Sequence, residues 1–245
     1  MTLNRKGTVI DLHIHTTKGS YDSSLTPEEL VRESKRIGLD GVCITEHGGI
    51  WDRHELERFA SQLDILVVRG MEINTDLGHI VVFGLDRYMS GIHRARDLRR
   101  AVEDAGGFMI AVHPFRRALG DDGFSSASRR GGLPTVEEAA KLPIFDLVDE
   151  IEILNGACND FENFFALQVA KKLGMVGTGG SDAHSTNGVG CFTTVFERQV
   201  RTQEEFIHEL RAGRFYAAEG LLNGELIPYS DGVTDLDWLQ TRIGL

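Results

Sequence analysis

Val9-Ile10-Asp11-Leu12-His13-Ile14-His15 is a short apolar run that ends in two histidines. Its length and β-branched content predict a buried strand. Residues i and i+2 of a strand point to the same face, so His13 and His15 present two imidazoles side by side. A strand holds them stiffly, which makes a preformed pair of metal ligands. What the pair serves depends on what the fold brings next to it.

Comparable apolar runs recur at 41–45, 64–69, 79–84, 108–112, 146–153, 175–179 and 191–196, with amphipathic stretches between most of them. Thr26, Pro27 and Glu29 form a capping box with proline in the first turn, and Gly38 is the stop signal. Thr202 and Glu205 repeat the device ahead of Phe206, Ile207 and Leu210, and Gly213 ends that stretch. Residues 94–105 and 160–173 are two further helical stripes, each followed by glycine. Strand alternating with helix predicts the α/β class, with a mostly parallel sheet and helices outside it. Seven or eight repeats without a linker point to a closed barrel in one domain. The barrel is expected over residues 1–220. Residues 221–245 read as a tail, with a short helix near Leu236–Ile243, that packs on the barrel or on a partner subunit; oligomeric state stays open. Residues 114–134 lack apolar periodicity, and loops of that length are usually functional.

The 245 residues carry 37 acids and 26 bases, a formal charge of −11. That sign argues against a protein that lives on contacts with the nucleic-acid backbone, so no long nucleic acid is expected as partner. No apolar run reaches membrane-spanning length, and the first residues lack the apolar core of a signal peptide; a cytoplasmic protein is expected. Cys43, Cys158 and Cys191 share no metal-site spacing, and Cys43 reads as a buried free thiol.

The chemistry gathers at the ends of the expected strands. The first ends in His13 and His15, the second in Thr45-Glu46-His47, the third in Gly70-Met71-Glu72 and the fifth in Val112-His113. The sixth ends in Glu150-Ile151-Glu152 and leads to Asn155. The seventh ends in Gly180-Ser181-Asp182-Ala183-His184. In a parallel barrel these ends converge on one face. Five of the nine histidines lie there, and His79 joins them although it begins its run. His54, His93 and His208 fall on or near helical stretches and are expected at the surface. Imidazole with carboxylate, and no thiolate, suits Zn, Mn or Fe. More than four such donors on one face imply more than one ion, and a carboxylate between imidazoles can bridge two.

Asp11-Leu12-His13-Ile14-His15-Thr16, then Asp22-Ser23 and Thr26-Pro27-Glu28-Glu29-Leu30, resembles the first motif of the PHP (polymerase and histidinol phosphatase) superfamily. Ile44-Thr45-Glu46-His47 resembles its second, Gly70-Met71-Glu72-Ile73 its bridging-glutamate motif, Ala111-Val112-His113-Pro114 its third and Gly180-Ser181-Asp182-Ala183-His184 its fourth. The matches run in order from residue 8 to 196. The resemblance implies a distorted (β/α)7, TIM-like barrel with the metal site at the C-terminal strand ends, and hydrolysis of phosphate esters. It implies two or three divalent ions. His13, His15, Glu72 and Asp182 would hold the first, Glu72 and His113 the second, and Asp22, His47 and His184 the third. Glu72, Asp182 and His184 would be the catalytic set. Glu46 departs from the usual aspartate before His47, which bears on the geometry around the ligands. The second ion is one ligand short; His79 either completes it or contacts phosphate.

Phosphate needs cationic donors beside the metals. Arg116 and Arg117 follow His113 directly, and Arg129 and Arg130 stand at the far end of the same loop. Lys18 and Tyr21 are within reach of the site, and Asn155 would either bind substrate or order a ligand. The expected substrate is a small phosphomonoester or nucleotide-type molecule. Two other readings stay open: a 3′–5′ exonuclease or phosphodiesterase on short oligonucleotides, and an amidohydrolase-like enzyme acting on C–N or C–O bonds. The latter class usually bridges its metals with a carboxylated lysine or a glutamate at the fourth strand, and no strand-end lysine is evident.

Overall fold

The protein's structure, a computed structural model, describes residues 7–47, 51–87, 91–117 and 134–229. Its strands are β1 (Thr8–Ile14), β2 (Gly41–Glu46), β3 (Leu66–Thr75), β4 (Gly78–Phe83), β5 (Phe108–Ala111), β6 (Glu150–Asn155), β7 (Thr178–Gly180), β8 (Phe192–Phe196), β9 (Phe215–Glu219) and β10 (Ile227–Pro228). Helices α1 (Pro27–Ile37), α2 (Arg53–Ala60), α3 (Ala95–Asp104), α4 (Val136–Ala139), α5 (Asp160–Leu173) and α6 (Gln203–Arg211) lie among them. All seven residues of β1 are buried, as expected of a strand covered on both faces.

The strands form one curled sheet in the order β10-β9-β8-β1-β2-β3-β4-β5-β6-β7. The run β1-β2-β3 is parallel, and so is β5-β6-β7. The curl brings the end of β7 back to β1: Asp182 N–H donates to His13 O at 2.8 Å, and His15 N–H donates to Ala183 O at 3.0 Å. A half-barrel results.

The register departs from a strict (β/α)7 repeat in two places. β3 and β4 are an antiparallel hairpin, with Thr75 paired to Gly78, and β4 is antiparallel to β5 as well. β8, β9 and β10 make an antiparallel extension beside β1. A parallel crossover needs about a dozen residues; the two-residue turn Asp76-Leu77 is too short for one. In the expected 221–245 tail, residues 221–229 reach the sheet through β10, and Tyr229 is buried. The helix expected near Leu236–Ile243 lies outside the described residues.

Local chemistry explains the helix ends. Thr26 and Glu29 form the expected capping box, and Gly38 takes a left-handed φ of 80° while its N–H bonds Ser34 O. At α6 only half the device forms: Thr202 Oγ1 accepts from Glu205 N–H, whereas the Glu205 carboxylate accepts from Arg201 N–H. α5 is capped by Asn159 with Glu162 and packs Phe164, Phe165 and Leu167 into the core.

Asp11 fastens the curl. Its fully buried carboxylate accepts from Ser181 N–H at 2.9 Å, Gly190 N–H at 2.9 Å and His13 N–H at 3.3 Å. Burial pushes its carboxyl up to about 6, against the lowering effect of these donors. Asp11→Ala strands buried N–H groups at about 1–3 kcal/mol each. A net loss of about 3 kcal/mol would lower Tm by roughly 6–12 °C. An unchanged melting curve would contradict this role.

Candidate metal centre

Each candidate ligand reaches the same end of the sheet by a local rule. His13 and His15 share a face of β1, His47 follows β2, and Glu72 lies on β3. His79 opens its run yet joins them, because β4 is antiparallel to β3 and pairs His79 with Asn74. His113 follows β5, and Asp182 and His184 follow β7. His113 and Asp182 carry left-handed φ values of 32° and 52°. Such geometry costs on the order of 1–3 kcal/mol per residue and is typical of functional sites.

Glu72 is the hub. Its Oε2 lies 3.2 Å from His13 Nε2, 3.2 Å from His15 Nε2 and 3.3 Å from His47 Nδ1. Its Oε1 lies 3.1 Å from His113 Nε2 and contacts His79 Nδ1. Asp182 Oδ1 faces His15 Nε2 at 3.2 Å and His13 Nε2 at 3.6 Å. Asp22 Oδ2 lies 3.5 Å from His47 Nε2 and 3.4 Å from His184 Nε2.

Three donor groups among the described residues are compact enough to hold an ion: His13, His15, Glu72 and Asp182; Glu72, His79 and His113; and His15, His47 and His184. The first two match the expected sets, with His79 in the second. In the third, His15 stands with His47 and His184, and Asp22 touches both of the latter. His15 stacks on each, at ring-centre distances of 4.2 and 4.4 Å. His54, His93 and His208 are exposed, as expected.

Tautomers test whether this arrangement fits a metal. Ser20 Oγ donates to Glu46 Oε2 at 2.6 Å, so towards His15 Nδ1, 3.1 Å away, it acts as acceptor. His15 therefore carries its proton on Nδ1. Its Nε2 is buried without a well-formed hydrogen bond, although carboxylate oxygens of Glu72 and Asp182 each lie 3.2 Å away. A nitrogen lone pair facing two anionic oxygens requires a positive charge between them, a proton or a metal ion. His13 repeats the pattern, with Nδ1 on Glu152 Oε1 at 3.1 Å, and so does His184, with Nδ1 on the Asp182 carbonyl at 2.9 Å. Backing one ring nitrogen to aim the other is how proteins orient metal-binding histidines. The donor set fits divalent ions.

The electrostatics agree. Burial opposes charge on His13, but Asp182, Glu152 and Glu72 hold its pKa well above the ordinary imidazole value. His15 is raised in the same way against burial, by Asp182 and Glu72. Burial would raise Glu72 and Asp182, yet the charge on His13 and the close approach of the His15 and His113 rings hold both far below the usual carboxylate range. His47 is lowered by burial and by the neighbouring His15.

The expected substrate contacts fare differently. Arg116 donates to Asp182 Oδ2 at 2.7 Å and lines a cavity of about 500 Å³ beside His79 and His113. Arg117 lines the same cavity and is exposed. Lys18 is committed to Glu55 and sits 5.4 Å from the centre of the Trp51 ring. Tyr21 is 94% exposed. Asn155 is engaged with the cluster's carboxylates: its Nδ2 donates to Glu152 Oε2 at 2.9 Å and to Asp182 Oδ2 at 3.4 Å. Arg129 and Arg130 lie outside the described residues.

Two supporting residues, Ser20 and Trp51, escape a reading of strand ends, and a third, Glu152, stands at a strand end without showing its role there. Glu152 accepts from His13, from Asn155 and from His113 N–H at 2.9 Å. The absence of a side chain on Gly180 lets it approach: a Cβ there would lie 2.5 Å from His13 Cβ and 2.8 Å from Glu152 Oε1. Two acids on a buried strand, Glu150 and Glu152, were the available signal, since buried carboxylates need partners. Ser20 and Trp51 act through Glu46, whose buried carboxylate takes the Ser20 hydroxyl, the Thr16 N–H at 3.0 Å and the Trp51 indole N–H at 3.1 Å. The substitution at Glu46 thus bears on how His15 is oriented, through Ser20. Glu152→Gln is expected to weaken divalent-metal binding about 10–100-fold with the circular dichroism unchanged. Equal metal affinity in calorimetric titrations of both proteins would refute this role for Glu152.

Fold and donor cluster together define a class: an α/β half-barrel with an imidazole–carboxylate cluster, able to bind metal, at one end of its strands. The family model of the PHP domain matches residues 11–109, and a PHP-associated model matches residues 160–215, between them more than half of the chain. The chain belongs to the PHP superfamily. An uncharacterized protein of Methanocaldococcus jannaschii is 29% identical over 123 residues, 45% of this chain and 72% of that protein. A probable histidinol-phosphatase of Thermotoga maritima is 31% identical over 94 residues, 35% of this chain and 40% of that protein. A crystal structure of a two-domain Bacteroides vulgatus protein, containing a predicted PHP-like metal-dependent phosphoesterase, superposes with a TM-score of 0.58 at 21% identity. The superposition covers 86% of this chain and 64% of that one, and supports the fold alone. Among the described residues, no helix is long and apolar enough to cross a membrane.

Proposed function

We propose that this chain is a metal-dependent phosphoesterase acting on a small phosphate ester. The observation that carries the reading is the buried His15 Nε2, aimed at oxygens of Glu72 and Asp182 with no hydrogen bond of its own. His13, His15, Glu72 and Asp182 would hold a first ion, and Glu72, His79 and His113 a second. His47 and His184, with Asp22 and His15 beside them, would hold a third. Zn, Mn or Fe suits these donors. When bound, such ions supply Lewis acidity towards phosphoryl oxygens and lower the pKa of water.

The chain's own residues do the remaining work. Arg116 is anchored on Asp182 and lines the cavity, so its guanidinium is placed to bind and orient phosphate oxygens. Arg117 adds positive charge at the same opening. Glu152, Asn155 and Ser20 hold the ligand imidazoles and Asp182 in register. His184 is partly exposed beside Asp22 and is placed to serve as ligand of a third ion. No serine or cysteine nucleophile is needed. The charge of −11 favours a small phosphorylated substrate, a nucleotide among the candidates, over long nucleic acid.

The test is hydrolysis by protein reconstituted separately with Zn, Mn and Fe(II), read as phosphate release from small monoesters and nucleotides and as product formation from short oligonucleotides, amides and lactones. Release from small monoesters that depends on added metal is expected. Mononucleotide release from oligonucleotides in preference would replace the reading with a nuclease. Activity confined to amides or lactones would overturn it.

A further inference from the structure

The cavity beside Glu72, His79 and His113 is larger and less polar than phosphate alone would require. It measures about 500 Å³, within the range of about 300–1,000 Å³ that takes a whole small organic ligand. His79, His113 and Arg116 give it a phosphate-binding floor, tied to the metal centre through Glu72 and Asp182. Its apolar wall comes from two segments, the β3–β4 turn at Leu77-Gly78 and the stretch Leu142-Pro143-Ile144. The segments meet where Ile144 Cδ1 lies 3.6 Å from the position a Gly78 Cβ would take. Leu142 leaves 44% of its surface to solvent.

Asp76 lines the same cavity. Its Oδ1 accepts from Ala95 N–H at 2.9 Å at the start of α3, which fixes the carboxylate in place. A fixed negative charge disfavours a second anionic group beside it.

We propose that this cavity receives the alcohol part of the substrate, and that it selects phosphomonoesters whose alcohol carries an apolar ring and no second anion. The proposal rests on the phosphoesterase reading above. Phosphate oxygens meet Arg116 and the centre. The ring lies against Leu77, Leu142 and Ile144. Asp76 disfavours a second anion on its side of the cavity, opposed by Arg117 at the opening.

Three esters test it on the full, metal-loaded chain: benzyl phosphate, ethyl phosphate and 2-phosphoglycolate. Benzyl phosphate is expected to exceed ethyl phosphate about tenfold or more in kcat/KM, the scale of apolar-pocket discrimination, with 2-phosphoglycolate slowest. Leu142→Asp is expected to lower the benzyl-to-ethyl ratio about tenfold. Asp76→Asn should raise 2-phosphoglycolate relative to ethyl phosphate. Benzylphosphonate, which cannot be hydrolysed, should bind wild type more tightly than ethylphosphonate in calorimetry. Equal kcat/KM for benzyl and ethyl phosphate, with a ratio unmoved by Leu142→Asp, overturns the subsite and leaves the phosphoesterase reading standing. No phosphate from any of the three defeats that reading, and the subsite with it.

Discussion

Glu72→Ala is expected to remove metal-dependent phosphate release almost completely, by about 10³-fold or more in kcat/KM. No other carboxylate in the cluster touches as many candidate ligands. One oxygen faces His13, His15 and His47, and the other faces His79 and His113. Two of the three donor groups contain it. Its removal also takes one counter-charge from the buried imidazoles, so His13 and His15 should become easier to deprotonate. Glu72→Gln separates charge from volume: it keeps the shape and loses the anion, and should fall nearly as far in activity. Both variants should bind fewer ions per chain than wild type. Circular dichroism would establish that each stays folded. A folded Glu72→Ala protein with a tenth of wild-type activity would contradict the assignment of Glu72 as hub.

The second large effect is the pH dependence of metal binding and of stability without metal. His13 and His15 have folded-state pKa values raised above the ordinary imidazole value. In the metal-free protein their contribution to stability is full below about pH 6.5 and is lost as pH rises through the raised values. Asp11, pushed up to about 6, adds a loss over the rise from about pH 4 to 6. Glu72 and Asp182 act in the opposite sense. Held low, they stabilise the fold above the ordinary carboxylate range, and that contribution is lost as pH falls below about 4. A metal ion must displace the protons on His13 and His15, so apparent affinity should climb with pH. Thermal melts with and without metal should therefore diverge between pH 6 and 8, the metal-free Tm falling while the loaded Tm holds. Affinity independent of pH over that range would mean that these histidines are not the ligands.

Much of the donor cluster was legible because strand ends are a strong positional signal. Once His13 and His15 define a face, His47, Glu72, His113, Asp182 and His184 follow from the ends of later strands. His79 looked out of place only because strand direction does not show in an apolar run. In the structure the Asp76-Leu77 turn, too short for a crossover, makes β4 run antiparallel to β3. β9 was missed because Phe215-Tyr216-Ala217-Ala218-Glu219 lacks a β-branched run. α2 was missed because the polar sequence Arg53–Ala60 buries only Leu56. Supporting contacts were hardest to read. Glu152 meets His13 across 139 positions of chain, and no local pattern encodes such a pairing. Ser20 holds His15 and Glu46 together from a loop with no periodicity at all.

The proposed function requires a multinuclear metal site at one end of the half-barrel. Elemental analysis of the protein, purified without chelators and equilibrated with Zn, Mn or Fe(II), measures this directly. Two or three divalent ions per chain are expected, falling to one or none in Glu72→Ala. A folded wild-type protein that takes up no ion under these conditions would contradict it.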